Sequence, residues 1–87
     1  VITPWDVVAN REATANTAHG TVGAGFGKTI ARQENWYKLF AEDLKTPSIM
    51  VPKVDSISTN YYPFAIDNDL VADWFDAAQR FRDLEVQ

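Results

Sequence analysis

The sequence predicts a mainly α fold, a single small helical unit over residues 1–87 that carries a glycine-rich loop at 19–28. Three observations lead there: a complete helix-start signature at Thr3-Pro4-Trp5-Asp6, a long amphipathic pattern after Asp67, and all four glycines gathered within eight positions between them. The chain has 87 residues, 46% of them hydrophobic and 13% aromatic. It therefore has ample core material, yet a core this small is usually docked or stapled to something. There is no cysteine, so neither a disulfide framework nor a Cys-based zinc site is available. That composition fits a reducing compartment, and the cytoplasm is the expected location.

Each element has its own reason. At the start, Thr3 is a helix N-cap, Pro4 suits the first helical position, and Asp6 can reach back to the cap amide. A helix from Pro4 to about Asn16 follows. Lys28 to Glu34 has no breaker and predicts a short helix, whereas Asn35 to Phe40 reads equally as helix or extended chain. Thr46-Pro47 and Pro52 punctuate the middle. Val54, Ile57 and Tyr61 then recur at helical spacing until Tyr62-Pro63, where the pre-proline restriction ends the element, so a helix is expected over 52–62. In the last element Asp67-Asn68-Asp69 supplies capping groups, and Leu70, Val71, Trp74, Phe75, Ala78 and Phe81 form one apolar stripe opposite Asp73, Asp76, Gln79, Arg80 and Asp83.

Charge and hydropathy exclude two classes of partner. With a net charge of −4 and scattered basic residues, the chain lacks the clustered Lys and Arg of a nucleic-acid-binding surface. No apolar run approaches the ~20 residues of a membrane span. The opening Val1-Ile2-Thr3-Pro4 has no signal-peptide pattern, and without an initiator Met the chain reads as an internal segment of a longer protein.

The run Gly20-Thr21-Val22-Gly23-Ala24-Gly25-Phe26-Gly27, leading into Lys28-Thr29-Ile30-Ala31-Arg32, has the layout of a phosphate-binding loop. Glycines allow φ > 0 and close backbone approach, so that successive N–H groups point into one concavity, and a helix starting at the end adds its free N–H groups. Two cations, Lys28 and Arg32, and two hydroxyls, Thr21 and Thr29, lie within reach. The ending Gly27-Lys28-Thr29 resembles a Walker A loop, but its first glycine falls where Val22 stands, and the strand that would precede a dinucleotide fingerprint is missing. The competing reading is that the glycines only let the backbone pass close to a packed neighbour.

This loop resembles the substrate-phosphate loop of the adenylosuccinate synthetase family, which carries a G-T-T-G-x-G-I-G type sequence in the same register. Tyr37 to Leu44 is similar to the stretch that follows the loop, and Asn60-Tyr61-Tyr62 to a tyrosine pair further on. The resemblance implies an internal segment of a divergent member, a helical part of a larger α/β ligase that condenses inosine monophosphate (IMP) with aspartate using GTP and magnesium. It implies that Gly20, Thr21, Val22 and Gly23 face the 5′-phosphate of IMP, and that Arg32 reaches the partner's site across a homodimer. Val22 departs from the family's second Thr, and the interval from Gly27 to Arg32 is shorter than usual. The family's guanine-nucleotide loop, magnesium aspartate and catalytic histidine have no counterpart here, so no catalytic residue, no metal ligand and no cofactor site is expected in this segment, and the chain alone is expected to be inactive. The alternative is a non-enzymatic helical interaction module whose glycine loop is structural.

Other groupings carry less. Asp67, Asn68 and Asp69 resemble the opening of a calcium loop but lack its later Gly and Glu. Glu42-Asp43 and the acids of the last helix read as solvated faces. The aromatic residues read as core. Ser56, Ser58 and Thr59 have no nearby His to activate them. His19 before the loop is a candidate phosphate donor whose ordinary role would be structural.

Overall fold

A computed structural model describes residues 1–14 and 25–85, with side chains described through 12 and over 25–81. Four α-helices account for most of it, and no strand occurs among the described residues: α1 Pro4–Thr14, α2 Phe26–Gln33, α3 Pro47–Ser56 and α4 Asn68–Glu85. A short 3₁₀ helix, Ala41–Lys45, precedes α3, and a π-helical turn, Ile57–Tyr61, extends it.

The start of α1 forms as its residues dictate. The Asp6 carboxylate accepts from the Thr3 amide at 2.8 Å, and Thr3 Oγ1 accepts from the Asp6 amide at 3.2 Å, a reciprocal capping box. At α4 the Asp67 side chain accepts from the Asp69 amide at 2.8 Å, so the predicted cap is also realised. Of the predicted stripe, Ala78 is buried while Val71, Trp74, Phe75 and Phe81 pack partly against the core. Leu70 keeps 38% of its surface exposed.

The middle differs from expectation. The helix expected over 52–62 begins five residues earlier, because Thr46-Pro47 repeats the Thr-Pro start of α1: Ile49 and Met50 both donate their amides to the Thr46 carbonyl at 2.9 Å. Pro52 therefore sits inside α3. It is exposed to solvent, and its missing N–H costs one helical bond. Met50, Val54 and Ile57, spaced four and three apart and all buried, hold the inward face despite that loss. The π-helical turn closes with the Tyr62 amide on the Ile57 carbonyl at 2.9 Å. Tyr62, before Pro63, leaves the helical region (φ −119°, ψ 76°), as the pre-proline rule requires.

Residues 34–40 are neither helix nor strand. After α2 the chain turns through Trp36, whose φ of 74° is left-handed. The turn is tied by Asn35 N–H to Arg32 O at 2.9 Å and Tyr37 N–H to Asn35 O at 2.8 Å. For a residue with a bulky side chain this conformation costs about 1–2 kcal/mol, and the indole is 93% exposed, so packing returns little of it. Trp36→Gly is expected to raise stability by about 0.5–1 kcal/mol, the relieved strain exceeding the extra unfolded-state freedom of glycine. A urea midpoint at or below that of the parent chain would contradict this.

The core gathers Trp5 and Ala9 of α1, Leu39 and Leu44 of the connecting segment, Met50, Val54, Ile57 and Tyr62, and Ala78 of α4. Leu39 and Ile57 are fully buried. α1 packs on α2, and α4 lies across the 3₁₀ helix and α1. An aromatic ladder runs Tyr37–Tyr61–Tyr62–Phe64, with ring centroids 5.1, 4.7 and 5.7 Å apart.

Candidate functional site

The glycine loop hands over to α2 at Gly25. This residue is the N-cap, in the left-handed region at φ 87°, and offers no side chain to cap the helix. Its carbonyl accepts the Thr29 amide at 2.9 Å and the Thr29 hydroxyl at 2.8 Å. A Cβ at Gly25 would meet Val7 N at 2.9 Å and Asp6 C at 3.0 Å, both backbone atoms of α1. The end of the loop is thus pressed against the first turn of α1. Gly20, Thr21, Val22 and Gly23, the residues expected to face a phosphate, lie outside the described residues, as does His19.

Arg32, the fifth candidate, is fully buried and belongs to a polar cluster inside the fold. Its Nε–H donates to Asp6 Oδ1 at 3.1 Å. One terminal nitrogen donates to Asp6 Oδ2 at 3.1 Å and to the Val1 carbonyl, the other to Gln33 Oε1 at 3.0 Å and the Tyr37 carbonyl at 2.6 Å. A guanidinium has five N–H groups, and all five find acceptors within the chain. A contribution in trans would first require breaking this buried arrangement. The geometry instead gives Arg32 an internal role, in which it ties α2 to α1 and both to the segment 37–39. The Thr29 hydroxyl, likewise turned inward to Gly25, is committed to the loop's own backbone.

Asp6 is the centre of the cluster. Besides the Thr3 amide, its carboxylate accepts the Thr3 hydroxyl at 2.8 Å, Arg32, and the Tyr62 hydroxyl at 2.7 Å. The capping role was legible from Thr3-Pro4-Trp5-Asp6. The partners 26 and 56 residues away carried no local signal. Among the described side chains no buried polar atom lacks a partner, which is the condition under which a buried ion pair is tolerable.

Burial pushes the Asp6 carboxyl up, but hydrogen bonds from Arg32, Thr3 and Tyr62 and the charge of Arg32 outweigh it, leaving Asp6 below the usual carboxylate range. Burial, and then the hydrogen bond to Asp6, push the Tyr62 phenol far above its ordinary value. The two shifts set opposite limits. Asp6, depressed in the fold, contributes fully above the ~3.9 of an unfolded aspartate and progressively less as pH falls below it. Tyr62, raised in the fold, contributes fully below the ~10 of an unfolded tyrosine and is lost as pH climbs past it. Urea midpoints are therefore expected to fall on the acid side of about pH 4 and on the alkaline side of about pH 10, and to rise toward about pH 8 in between, because burial and the charge of Arg32 hold the Val1 amine below its ordinary value. In Tyr62→Phe the alkaline decline should shrink while the acid one persists; an unchanged alkaline limb would remove Tyr62 as its cause.

Among the described residues no group of three or more His, Asp or Glu side chains could hold a metal ion, and no helix is long and apolar enough to cross a membrane. No protein-family model, no curated protein and no solved structure matches the chain. The family resemblance therefore rests on the residues that carry it, above all the glycine loop.

Proposed function

We propose that residues 19–27 hold the 5′-phosphate of inosine monophosphate in an adenylosuccinate synthetase-like ligase of purine nucleotide biosynthesis, with Gly20, Thr21, Val22 and Gly23 as the contacting residues. The observation that supports this most is the eight-residue glycine cluster, in register with that family's loop and running directly into α2 through an N-cap that has no side chain. The first N–H groups of a helix have no partner within it, so an anion held by the loop would also meet the positive end of α2. In this reading GTP and magnesium are bound by other parts of a parent enzyme in the cytoplasm, this segment also touches the second subunit of a homodimer, and the 87-residue chain alone forms no adenylosuccinate. Arg32 enters as a residue that positions α2 under the loop.

Adding IMP to the labelled chain is expected to move the amide signals of Gly20 to Gly23 saturably, with inosine, which lacks the phosphate, moving them far less. Thr21→Val should weaken the effect without altering the fold. The second reading, a non-enzymatic interaction module, is favoured by one observation, the lack of room for a Cβ at Gly25, which gives that glycine a packing reason. Loop amides that ignore IMP in a folded, dimeric sample would leave that second reading standing.

A further inference from the structure

A groove of about 480 Å³ opens between the Trp36 turn and α3, well apart in sequence from the glycine loop. Its walls are Trp36, 93% exposed, Tyr37 and Phe40, 51% exposed; Pro52 forms the α3 side, and Lys38 and Lys53 bring the charge. The volume falls in the range of small-molecule sites, and the lining combines flat aromatic faces with ammonium groups.

We propose that this groove binds a planar aromatic ligand bearing an anionic group. Trp36 has a left-handed backbone and an indole that is 93% exposed, so its ring stands at the edge of the groove as a surface open to stacking. Stacked or edge-on aromatic pairs gain beyond simple burial. Lys53 Nζ lies 5.8 Å from the Phe40 ring centroid and donates to Asp43 Oδ2 at 2.9 Å; Lys38 Nζ donates to the Gln33 carbonyl. Each ammonium has three N–H groups, so these contacts orient the lysines and leave donors for an incoming anion. The charged residues of the lining are both lysines, Lys38 and Lys53, in a chain whose net charge is −4. That contrast selects an anionic occupant over a neutral one.

The proposal is independent of the glycine-loop reading, and one titration separates the two. With 1-naphthyl phosphate as probe, the indole N–H signal of Trp36 and the amides of residues 36–40 and 52–56 should shift saturably, scored apart from those of Gly20 to Gly27. 1-Naphthalenemethanol, the ring without the anion, and inorganic phosphate, the anion without the ring, should each bind the groove at least about tenfold more weakly, ~1.4 kcal/mol. Trp36→Gly, which is expected to leave the fold intact, should cost at least about tenfold in affinity, and Lys38→Gln and Lys53→Gln several-fold each. An indole signal that ignores naphthyl phosphate, equal binding of the neutral analogue, or unchanged affinity in Trp36→Gly would overturn the proposal. Equal binding of the neutral analogue would instead mark the groove as an apolar contact surface for another polypeptide.

Discussion

Arg32→Ala is expected to lower the stability of the chain by about 3–5 kcal/mol, the usual cost of removing one partner from a buried ion pair. A domain of this length has ~4–13 kcal/mol in all, at roughly 0.05–0.15 kcal/mol per residue, so the variant loses a large share of its stability and, at the lower end of that range, sits near its unfolding midpoint at room temperature. The cost is high because the loss is not confined to Arg32. The Asp6 carboxylate would remain fully buried with its charge facing only Thr3 and Tyr62, and the carbonyls of Val1 and Tyr37 and the Gln33 side chain would each lose a donor. Arg32→Lys should recover little, since one ammonium cannot serve acceptors on three segments that a planar guanidinium meets at once. In Arg32→Met combined with Asp6→Asn the cost should be clearly smaller than the sum of the two single changes, because neither charge is then stranded. Additive single costs, or an Arg32→Ala variant within ~1 kcal/mol of the parent, would mean the cluster is not the energetic centre of the fold. By contrast, breaking the more exposed Lys53–Asp43 pair, 2.9 Å apart, should change stability by under ~1 kcal/mol.

The same result bears on function. If Arg32→Ala loses IMP binding, the loss follows from the fold and says nothing about an arginine given to a partner subunit. A role in the phosphate site is better examined at Thr21, whose hydroxyl the proposal uses. Arg32 became a candidate through the family resemblance and its place after the loop, and neither reports whether a side chain turns outward or into a core. What would have been needed is the knowledge that Asp6 and Tyr62 lie beside it, and those contacts arise from packing of α1 and the turn after α3 against α2.

Local signals were reliable where local physics decides. The capping residues of α1 and α4, the short helix after the loop and the helix end before Pro63 follow from interactions within a few residues, and all form. The start of α3 was equally legible, since Thr46-Pro47 repeats Thr3-Pro4; it was obscured by Pro52, which reads as a breaker unless the apolar spacing of Met50, Val54 and Ile57 is weighed against it. The turn at Trp36 had no such signal. Left-handed backbone is ordinarily announced by Gly or Asn, and a tryptophan there is imposed by the surrounding hydrogen bonds. The groove beside it was therefore invisible in the sequence, where Trp36 and Phe40 read as core.

Gly25→Ala is the other change with a large expected effect, and its value lies in the comparison with Gly27→Ala. At Gly25 a methyl group meets two obstacles at once. One is the left-handed backbone at φ 87°, worth about 1–2 kcal/mol for an L-residue; the other is the α1 backbone, with Val7 N at 2.9 Å and Asp6 C at 3.0 Å. Backbone atoms cannot swing aside as a side-chain tip can, so α1 and α2 must separate, which stretches the Asp6–Arg32 bonds that join them. Overpacking of this kind adds about 1–3 kcal/mol, for an expected total near ~3 kcal/mol. At Gly27 the methyl group meets nothing within 4 Å and sits in the first turn of α2, where alanine is still the better helix former, so stability should rise by up to about 0.5 kcal/mol. Urea midpoints of the two variants moving in opposite directions would show that the glycines of one cluster have different reasons to be there. Gly25 would then be accounted for by the contact between helices, and the phosphate proposal would stand or fall at Gly20 and Gly23, where a loss of IMP binding with the midpoint unchanged is the outcome it requires. Equal midpoints for Gly25→Ala and Gly27→Ala would instead place α1 and α2 further apart than the 2.9 Å approach at Gly25 requires.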